Sequence, residues 1–584
     1  MISVDDDRIA VIGLGCRVPG AADTRALWRN LCAGEDSVRR FSRAEVLAAG
    51  VPADVVDDVS FVPAFGHLDG LTDFDAALFG YRDDEAALLD PQHRLFLEVA
   101  WWALEDAGYG RVDATTQVGV FGGCGANRYL RHHLLGNPAV GPTGGFCDDW
   151  DDILAGASSD YLPARVAYAL GLSGPAVAIQ TACSSSLVAV CQAAQSLLDF
   201  RCDMAVAGGA SVVSTHQAGY RHRPGGTLAT DGVCRPYDAD ATGQVFGNGA
   251  GAVVLKRLGD AVHDGDHIYA VLPGWAVNND GADRGDFTVP GVVGQSAVVA
   301  EALTAADWRP DDLGYLEGHG SGTAVGDAIE IEALTRVFRS GTDRRGFCVL
   351  GSMKSNVGNL DAAAGVAGLI KAVLAVHHGV IPGTLHFTRP HRGVDLEGGP
   401  FVVTTDARPW TGTRRGGVSS FGLGGTNAHV LVEQAPAPLA SSGGTDWALL
   451  PLSAATDEAL RDLAARLADH LTGEPGDTNA DAASLTDVAF TLAAGRRRLA
   501  HREAVVARDV VQAAEGLRTV ADGQVPSLPA EVPVALRERA GGWRAGGEPP
   551  VGSGRRVPLP GYPFQRRRHW IDRVGAAQLA GGRL

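Results

Sequence analysis

An α/β fold is what this chain predicts, and three features of the sequence carry that expectation. Short β-branched or apolar runs alternate with Ala/Leu-rich segments from residue 8 to about 435. The runs are apolar almost throughout, as strands in sheets covered on both faces must be. The 77 glycines cluster where strands give way to loops, the places where backbones approach closely around a site.

In chain order, the strand candidates are RIAVIG (8–13), VGVFGG (118–123), AVAIQ (176–180), MAVAGGASVV (204–213), GAVVLKRL (251–258), YAVLPGWAV (269–277) and GVSSFGLGGTNAHVLVE (417–433). The helix candidates are HRLFLEVAWWALEDAG (93–108), LVAVCQAAQSLLDF (187–200), GQSAVVAEALTAA (294–306) and DAAAGVAGLIKAVLAVHHG (361–379), several of them ending at glycine. The run LVAVCQAAQSLL suits a core or an interface equally well.

At 584 residues the chain exceeds one ordinary core, so two or more domains are expected. QAPAPLASSGGTD (434–446), rich in Pro, Ala, Ser and Gly, marks a boundary and gives the main domain the span 1–435. Beyond it, WALLPLSAATDEALRDLAARLADHL reads as a strand and an amphipathic helix, opening a small α/β unit over 436–525. Residues 526–584 are Pro/Gly-rich and read as extended. Tyr562, Phe564 and Trp570 stand there among basic residues, which predicts packing along another surface.

Composition excludes several classes. Hydrophobic residues at 45% and charged residues at 20% mark a soluble globular protein. A net charge of -18 without a long Lys/Arg block argues against nucleic acid or an anionic membrane as partner. Arg clusters such as GRRRLAHR still suit docking of a small acidic protein. No stretch approaches a membrane span, and the acidic start MISVDDDRIAVIG is unlike a secretory signal, so a cytoplasmic location is expected. Nine cysteines without a Cys-x-x-Cys pair fit reduced thiols, with no disulfide framework and no metal site.

Two lures are set aside. VIGLGCRVPG offers G-x-G after a strand, but Val18 holds the third glycine position and Glu35 sits in a polar stretch, so no dinucleotide site is expected. Ser484 reads as a helix cap rather than a pantetheine-attachment serine. No G-x-S-x-G elbow is present, which excludes a serine acyltransferase or hydrolase.

Chemistry gathers around TACSSSLVAV (181–190). Cys183 follows a strand and opens a helix, where unpaired N–H groups and the positive dipole end favour thiolate and can hold an oxyanion. EGHGSGTAVGDAIE places His319 in a glycine loop, with Ser321 and Thr323 supplying hydroxyls. In GSMKSNVGNLDAAAG, Lys354 and Asn359 precede a helix. SSFGLGGTNAH can present backbone N–H groups from a glycine turn.

These four motifs resemble the ketosynthase of modular type I polyketide synthases, a thiolase-fold condensing enzyme. RIAVIGLGCRVPGA, LDPQHRLFLEVAWWALEDAGY, TACSSSLVAV, GNGAGAVVLKRL and NNDGA match in order, and the likeness covers nearly the whole chain. The resemblance implies a five-layered αβαβα fold. It also implies that the 436–525 unit is a ketosynthase–acyltransferase linker, and that LPGYPFQRRRHW wraps back on the ketosynthase. The expectation is a discrete or acyltransferase-less enzyme that resembles the salinosporamide-type cyclising ketosynthase. DYLPARVAYALGLSGPAV resembles ketosynthases fed by peptide synthetases.

The resemblance implies that Cys183 accepts an acyl chain from the phosphopantetheine of an acyl carrier protein, with no bound cofactor and with a homodimer as the assembly. His319 matches the first of two histidines. Asn359 stands where the second is expected, in GNL rather than G-H-L. Lys354 matches the family lysine, paired with Glu330. The backbone N–H groups of Cys183 and Leu423 match the oxyanion donors, and Ser321 and Thr323 the pantetheine contacts. Ala328 for proline and Ser321 for threonine are minor departures.

An amide cannot exchange protons near neutrality as imidazole does. The expected reaction is therefore a non-decarboxylative closure: His319 takes a proton beside a carbonyl, an aldol step follows, and the alkoxide attacks the Cys183 thioester to release a lactone. The alternatives are decarboxylative Claisen condensation with malonyl carrier by a Cys-His-Asn set, a transacylase, and, from another class, a non-catalytic carrier-docking module.

Overall fold

The computed structural model describes residues 7–135, 137, 140, 150–391, 394, 396–437, 447–473, 484–549 and 551–573. Twelve strands form one sheet: β1 (Ile9–Arg17), β2 (Val118–Cys124), β3 (Ala176–Ala178), β4 (Met204–Ser211), β5 (Gly249–Arg257), β6 (Ala270–Leu272), β7 (Trp275–Asn279), β8 (Tyr315–Glu317), β9 (Cys348–Gly351), β10 (Phe401–Val402), β11 (Arg415–Phe421) and β12 (Thr426–Gln434). The helices that cover it are α1 (Pro91–Asp106), α2 (Tyr161–Leu170), α3 (Ser185–Leu198), α4 (Val292–Ala305), α5 (Ala324–Arg339) and α6 (Ala364–His378).

Along the sheet the order is β10-β9-β8-β11-β12-β6-β1-β5-β4-β2-β3, with β7 paired to β12. β1 lies antiparallel to both β5 and β6, and this double pairing joins two halves. Alternation along the strands decides the layers. On β5, Ala252 and Val254 face α1 and α2, while Val253 and Leu255 face α3 and α6. On β12, Val430 and Val432 face α3 and α6, and Leu431 faces α4 and α5. The result is the thiolase-like five-layered αβαβα arrangement. α3 and α6 form the middle layer, so the run at 187–198 belongs to the core. α6 is buried from Ala364 to Val376, as a helix apolar on all sides must be. Its one cation, Lys371, pairs with Glu317 at 2.8 Å.

Some elements differ from the sequence reading. The predicted strand 417–433 is a hairpin, because Gly424 and Gly425 turn the chain at φ 123° and 85°. The predicted strand 269–277 divides at Pro273–Gly274 into β6 and β7. β9 escaped because four residues carry too little periodicity.

Residues 447–549 build a small unit around the antiparallel pair β13 (Ala448–Ala454) and β14 (His501–Ala507), with α7 (Asp457–Thr472), α8 (Leu485–Gly495), α9 (Val510–Ala521) and α10 (Val534–Arg544). The indole of Trp543 donates to the carbonyls of Leu452 and Glu503 and pins α10 to both strands. The arginines of GRRRLAHR do not form a free basic face. Arg496 pairs with buried Glu105, and Arg497 donates to the carbonyls of Gly110 and Leu170. Burying the guanidinium stems along the main domain leaves little to offer an acidic partner.

Residues 551–573 run back over the main domain. Tyr562 N–H donates to Glu105 Oε2 at 2.7 Å, and Trp102 donates to the Tyr562 carbonyl. Arg566 and Arg17 clamp buried Glu98, while Arg567–Arg568 pair with Asp73–Phe74. Among the described residues, no helix is long and apolar enough to cross a membrane.

Candidate active site

The chain reaches Cys183 through an elbow. Ala182 adopts φ 55°, a conformation that costs a non-glycine residue free energy and persists only where surrounding contacts enforce it. Three fully buried serines supply those contacts. Ser184 Oγ donates to the Thr181 carbonyl, Ser185 Oγ bridges Thr181 N–H to the Ala182 carbonyl, and Ser186 Oγ accepts from Val366 N–H on α6. Cys183 therefore lies in the 3₁₀ turn Ala182–Ser184 just before α3.

The expectation of a thiolate at a helix end is corrected here. Burial of the sulfur and the nearby Asp361 push the thiol up to about 12, against a weaker pull from Lys354. Desolvation of a thiolate, with a carboxyl beside it, outweighs what one helix end offers. Among the described residues the sulfur has two hydrogen-bond partners. Its S–H donates to Asp361 Oδ1 at 3.6 Å, and Asn359 Nδ2 donates to it at 3.9 Å. The His319 ring is not one of them.

His319 is held from three sides. Its N–H and that of Gly320 donate to Glu330 at 2.6 and 2.8 Å, and Lys354 Nζ donates to its carbonyl at 2.5 Å. Phe421 N–H donates to ring Nδ1 at 3.3 Å. Burial, reinforced by Lys354, holds the imidazole pKa well below the usual histidine range, so the ring is neutral. With the Nδ1 lone pair taken, the proton sits on Nε2, and the ring is set to donate. That corrects the reading of His319 as a base. Lys354 and Glu330 both clamp the His319 backbone, where orphan N–H and carbonyl groups need partners, and the charge of Lys354 acts on the Glu330 carboxyl from across that loop.

Asn359 is buried and saturated. Its Nδ2 donates to Gln244 Oε1 at 2.6 Å as well as to the sulfur, and its Oδ1 accepts Asp361 N–H at 3.0 Å. Ser321 is turned inward, its hydroxyl shared with Thr323 Oγ1 at 2.9 Å and its N–H bonded to Asp327. Of the two hydroxyl residues matched to pantetheine, only Thr323 keeps exposed surface. Leu423 is 58% exposed in the β11–β12 turn. Neither its N–H nor that of Cys183 takes a partner from the described residues. A Cβ on Gly422 would lie 2.1 Å from the Thr181 carbonyl, so only glycine lets this turn meet the cysteine elbow. Ser420 Oγ completes that seam by donating to the Cys183 carbonyl at 2.9 Å.

Sequence reasoning missed Asp361, Gln244 and Asp327. Asp361 reads as an ordinary helix-start aspartate, and Gln244 is 115 residues from its partner Asn359. Asp327, raised to about 7 by burial and then Glu330, tethers the 321–322 loop. Only its i+6 spacing from Ser321 hinted at that. The described residues hold no cluster of groups suited to a metal. A cleft of about 710 Å³ between Arg17, Asp73, Asp462 and Arg566 lies at the seam with the small unit, away from the thiol.

Comparison with known proteins places this geometry. Residues 6–261 match the beta-ketoacyl synthase N-terminal domain, residues 269–388 its C-terminal domain, and residues 448–517 a CurL-like polyketide synthase C-terminal segment. The chain is 43% identical over 528 residues to one component of the phenolphthiocerol/phthiocerol polyketide synthase of Mycobacterium tuberculosis, covering 88% of this chain and 35% of that one. It is 42% identical over 545 residues to a second component of the same synthase, covering 88% of this chain and 33% of that one. It thus spans about a third of these curated relatives. Ketosynthase twelve of the bacillaene polyketide synthase in Bacillus amyloliquefaciens superposes with a TM-score of 0.87 at 34% identity, covering 97% of this chain and 100% of that one. An oxazolomycin ketosynthase domain of Streptomyces albus gives 0.81 at 34% identity, covering 97% and 98%.

Proposed function

The chain belongs to the beta-ketoacyl synthase family, as a polyketide synthase ketosynthase, and on that premise we propose that Cys183 receives an acyl chain from an acyl carrier protein and that the chain then closes on itself without consuming malonate. The thioester oxygen would sit between the N–H groups of Cys183 and Leu423, with His319 Nε2–H as a further donor. Thr323 would meet the pantetheine arm. Lys354 and Glu330 act by holding the His319 backbone. Polarisation acidifies the carbon beside the thioester, the Asp361 carboxylate next to the sulfur takes its proton, and the carbanion adds to a ketone farther along the chain. The resulting alkoxide attacks the Cys183 thioester, releasing a lactone and the Cys183 thiolate, which takes the α-carbon proton back from Asp361.

The observation that carries this reading is the saturation of Asn359. One amide hydrogen goes to Gln244 and the other to Sγ, leaving no N–H at that place for a malonyl carbonyl. A Cys-His-Asn Claisen condensation is the second reading, favoured by the donor setting of His319 and the two unpartnered backbone N–H groups.

Intact mass spectrometry after incubation with carrier-bound ketoacyl chains tests the proposal. Acyl-Cys183 and a released lactone lighter than the free keto acid by one water are expected. Carbon dioxide release from malonyl carrier that depends on Cys183 or Asn359 would defeat the closure and favour the Claisen reading. No acylation at all would leave a docking module.

A homodimer is proposed as well. β3 ends the sheet, no strand among the described residues pairs with its outer edge, Val177 is 41% exposed, and Tyr168 nearby is 89% exposed. An open apolar edge suits pairing with a second copy. Light scattering tests it, and a monomer at micromolar concentration would remove it.

A further inference from the structure

We infer that Asp361 takes the proton from Cys183 as the sulfur attacks the carrier-bound thioester and passes it to the departing pantetheine sulfur. The inference rests on the reading of Cys183 as the acyl acceptor. It holds for closure and for condensation alike, since both begin with that transfer.

The geometry eliminates the other candidates. Asn359 meets the sulfur with a donor, and its own oxygen is occupied by Asp361 N–H. The Nδ1 of His319 is occupied by Phe421 N–H and its Nε2 carries hydrogen. Lys354 Nζ donates to the His319 carbonyl and is not bonded to the sulfur. The carboxyl of Asp361 is the one base in contact with Sγ among the described residues.

Asp361 is also built into place. It heads the 3₁₀ turn Asp361–Ala363 before α6 at φ 48°, so left-handed non-glycine residues, Ala182 and Asp361, stand at both sides of the thiol–carboxyl contact. Strain of this kind gathers where a side chain must be aimed. Ser211 Oγ donates to Oδ2 at 3.3 Å, which turns Oδ1 to the sulfur. The groups facing the pair are Ser211 on β4, Arg128 beyond β2, and Lys354. Arg128 and the thiol favour the carboxylate, and burial, the larger influence, raises its basicity.

A base is needed here. A thiol pushed up to about 12 is ionised in only about one molecule in 10⁵ at neutral pH. In the transfer, the Cys183 S–H bond breaks and an O–H bond forms on Asp361 while sulfur bonds to the thioester carbon. Collapse of the tetrahedral intermediate breaks the bond to the pantetheine sulfur, which takes the proton and leaves as a thiol. Both sulfurs hang on one carbon in that intermediate, so a carboxyl that reaches one reaches the other. Nothing is oxidised or reduced, and Asp361 ends as the carboxylate it was.

The test is the acylation rate of Cys183 by S-hexanoyl-N-acetylcysteamine, followed by intact mass. For the wild type the rate should be flat from pH 7 to 10, because the proton leaves to Asp361 and not to solvent. A tenfold rise per pH unit over that range would mean attack by free thiolate and would overturn the inference. Asp361→Asn should slow acylation at pH 7.5 by about a hundredfold or more and restore that tenfold-per-unit slope. Asp361→Glu should recover part of the rate and the plateau. Equal rates and profiles for wild type and Asp361→Asn sink this inference alone. An unreactive wild-type Cys183 removes the proposed function, and this inference falls with it.

Discussion

The Asn359 amide donates to Gln244 Oε1 at 2.6 Å, so two side chains 115 residues apart act as one amide pair beside the Cys183 sulfur. Gln244 in turn donates to Thr227 Oγ1, which ties the pair to the loop that precedes β5. The pair explains how an amide can stand where relatives of this fold are expected to carry an imidazole without leaving a buried polar atom unsatisfied.

Asn359→His combined with Gln244→Ala opens room for an imidazole at that place. Malonyl-carrier decarboxylation should then rise at least tenfold above wild type, measured as carbon dioxide released per mole of protein. Asn359→His alone should give less, because Gln244 still fills the space.

Gly422→Ala should leave the fold intact and cripple the site. The new Cβ would lie 2.1 Å from the Thr181 carbonyl and 2.7 Å from Ser184 Oγ, so the turn and the elbow must separate. A displacement near 1 Å lowers acyl transfer by about a hundredfold. Acylation kinetics beside a thermal melt separate the two effects: an unchanged rate at unchanged stability speaks against the seam as the aligning element.

Acid stability should depend on His429. This ring is fully buried, bonds Ser419 Oγ through Nδ1 at 2.9 Å, and is pushed down to about 3 by burial. Below about pH 6.5 the unfolded chain binds the proton and the fold does not, so stability is whole above that pH and declines as pH falls toward 3. Between pH 7 and 4 the decline from this residue is on the order of 3 kcal/mol. Asp90 and Asp106, raised by burial to about 6, act in the opposite sense. The difference between His429→Leu and wild type in urea unfolding at the two pH values isolates the histidine. Parallel profiles would contradict this.

Glu98→Ala should loosen the C-terminal segment. Glu98 is 1% exposed and lies 2.8 Å from Arg17 and 3.0 Å from Arg566. Its loss leaves Arg17 buried without its carboxylate, which costs about 3–5 kcal/mol. Urea unfolding reads the loss, and limited proteolysis between 551 and 573 reads the release. A protected segment in the variant would show that Tyr562 and Trp102 hold it unaided.

Much of the site was legible in the primary structure because it lies in short contiguous motifs. Cys183 announces itself by a strand, a thiol and three serines, His319 by its glycines, Lys354 and Asn359 by their common run. Their companions were not legible. Asp361 resembles any aspartate at a helix start, and Gln244 belongs to a different strand-loop from Asn359. Which atom of His319 bears hydrogen follows from Phe421 N–H, a donor 102 residues away.

By itself the sequence determined the layered α/β class, the family and the motifs that carry the candidate site, since period-2 and period-3.6 patterns and close-set motifs are local properties of the chain. Only the tertiary structure decided protonation and pairing: a thiol kept neutral, a ring set to donate, an amide saturated, and a carboxyl against the sulfur. Those states depend on burial and on which distant groups come within hydrogen-bond range, and neither is written in any stretch of neighbouring residues.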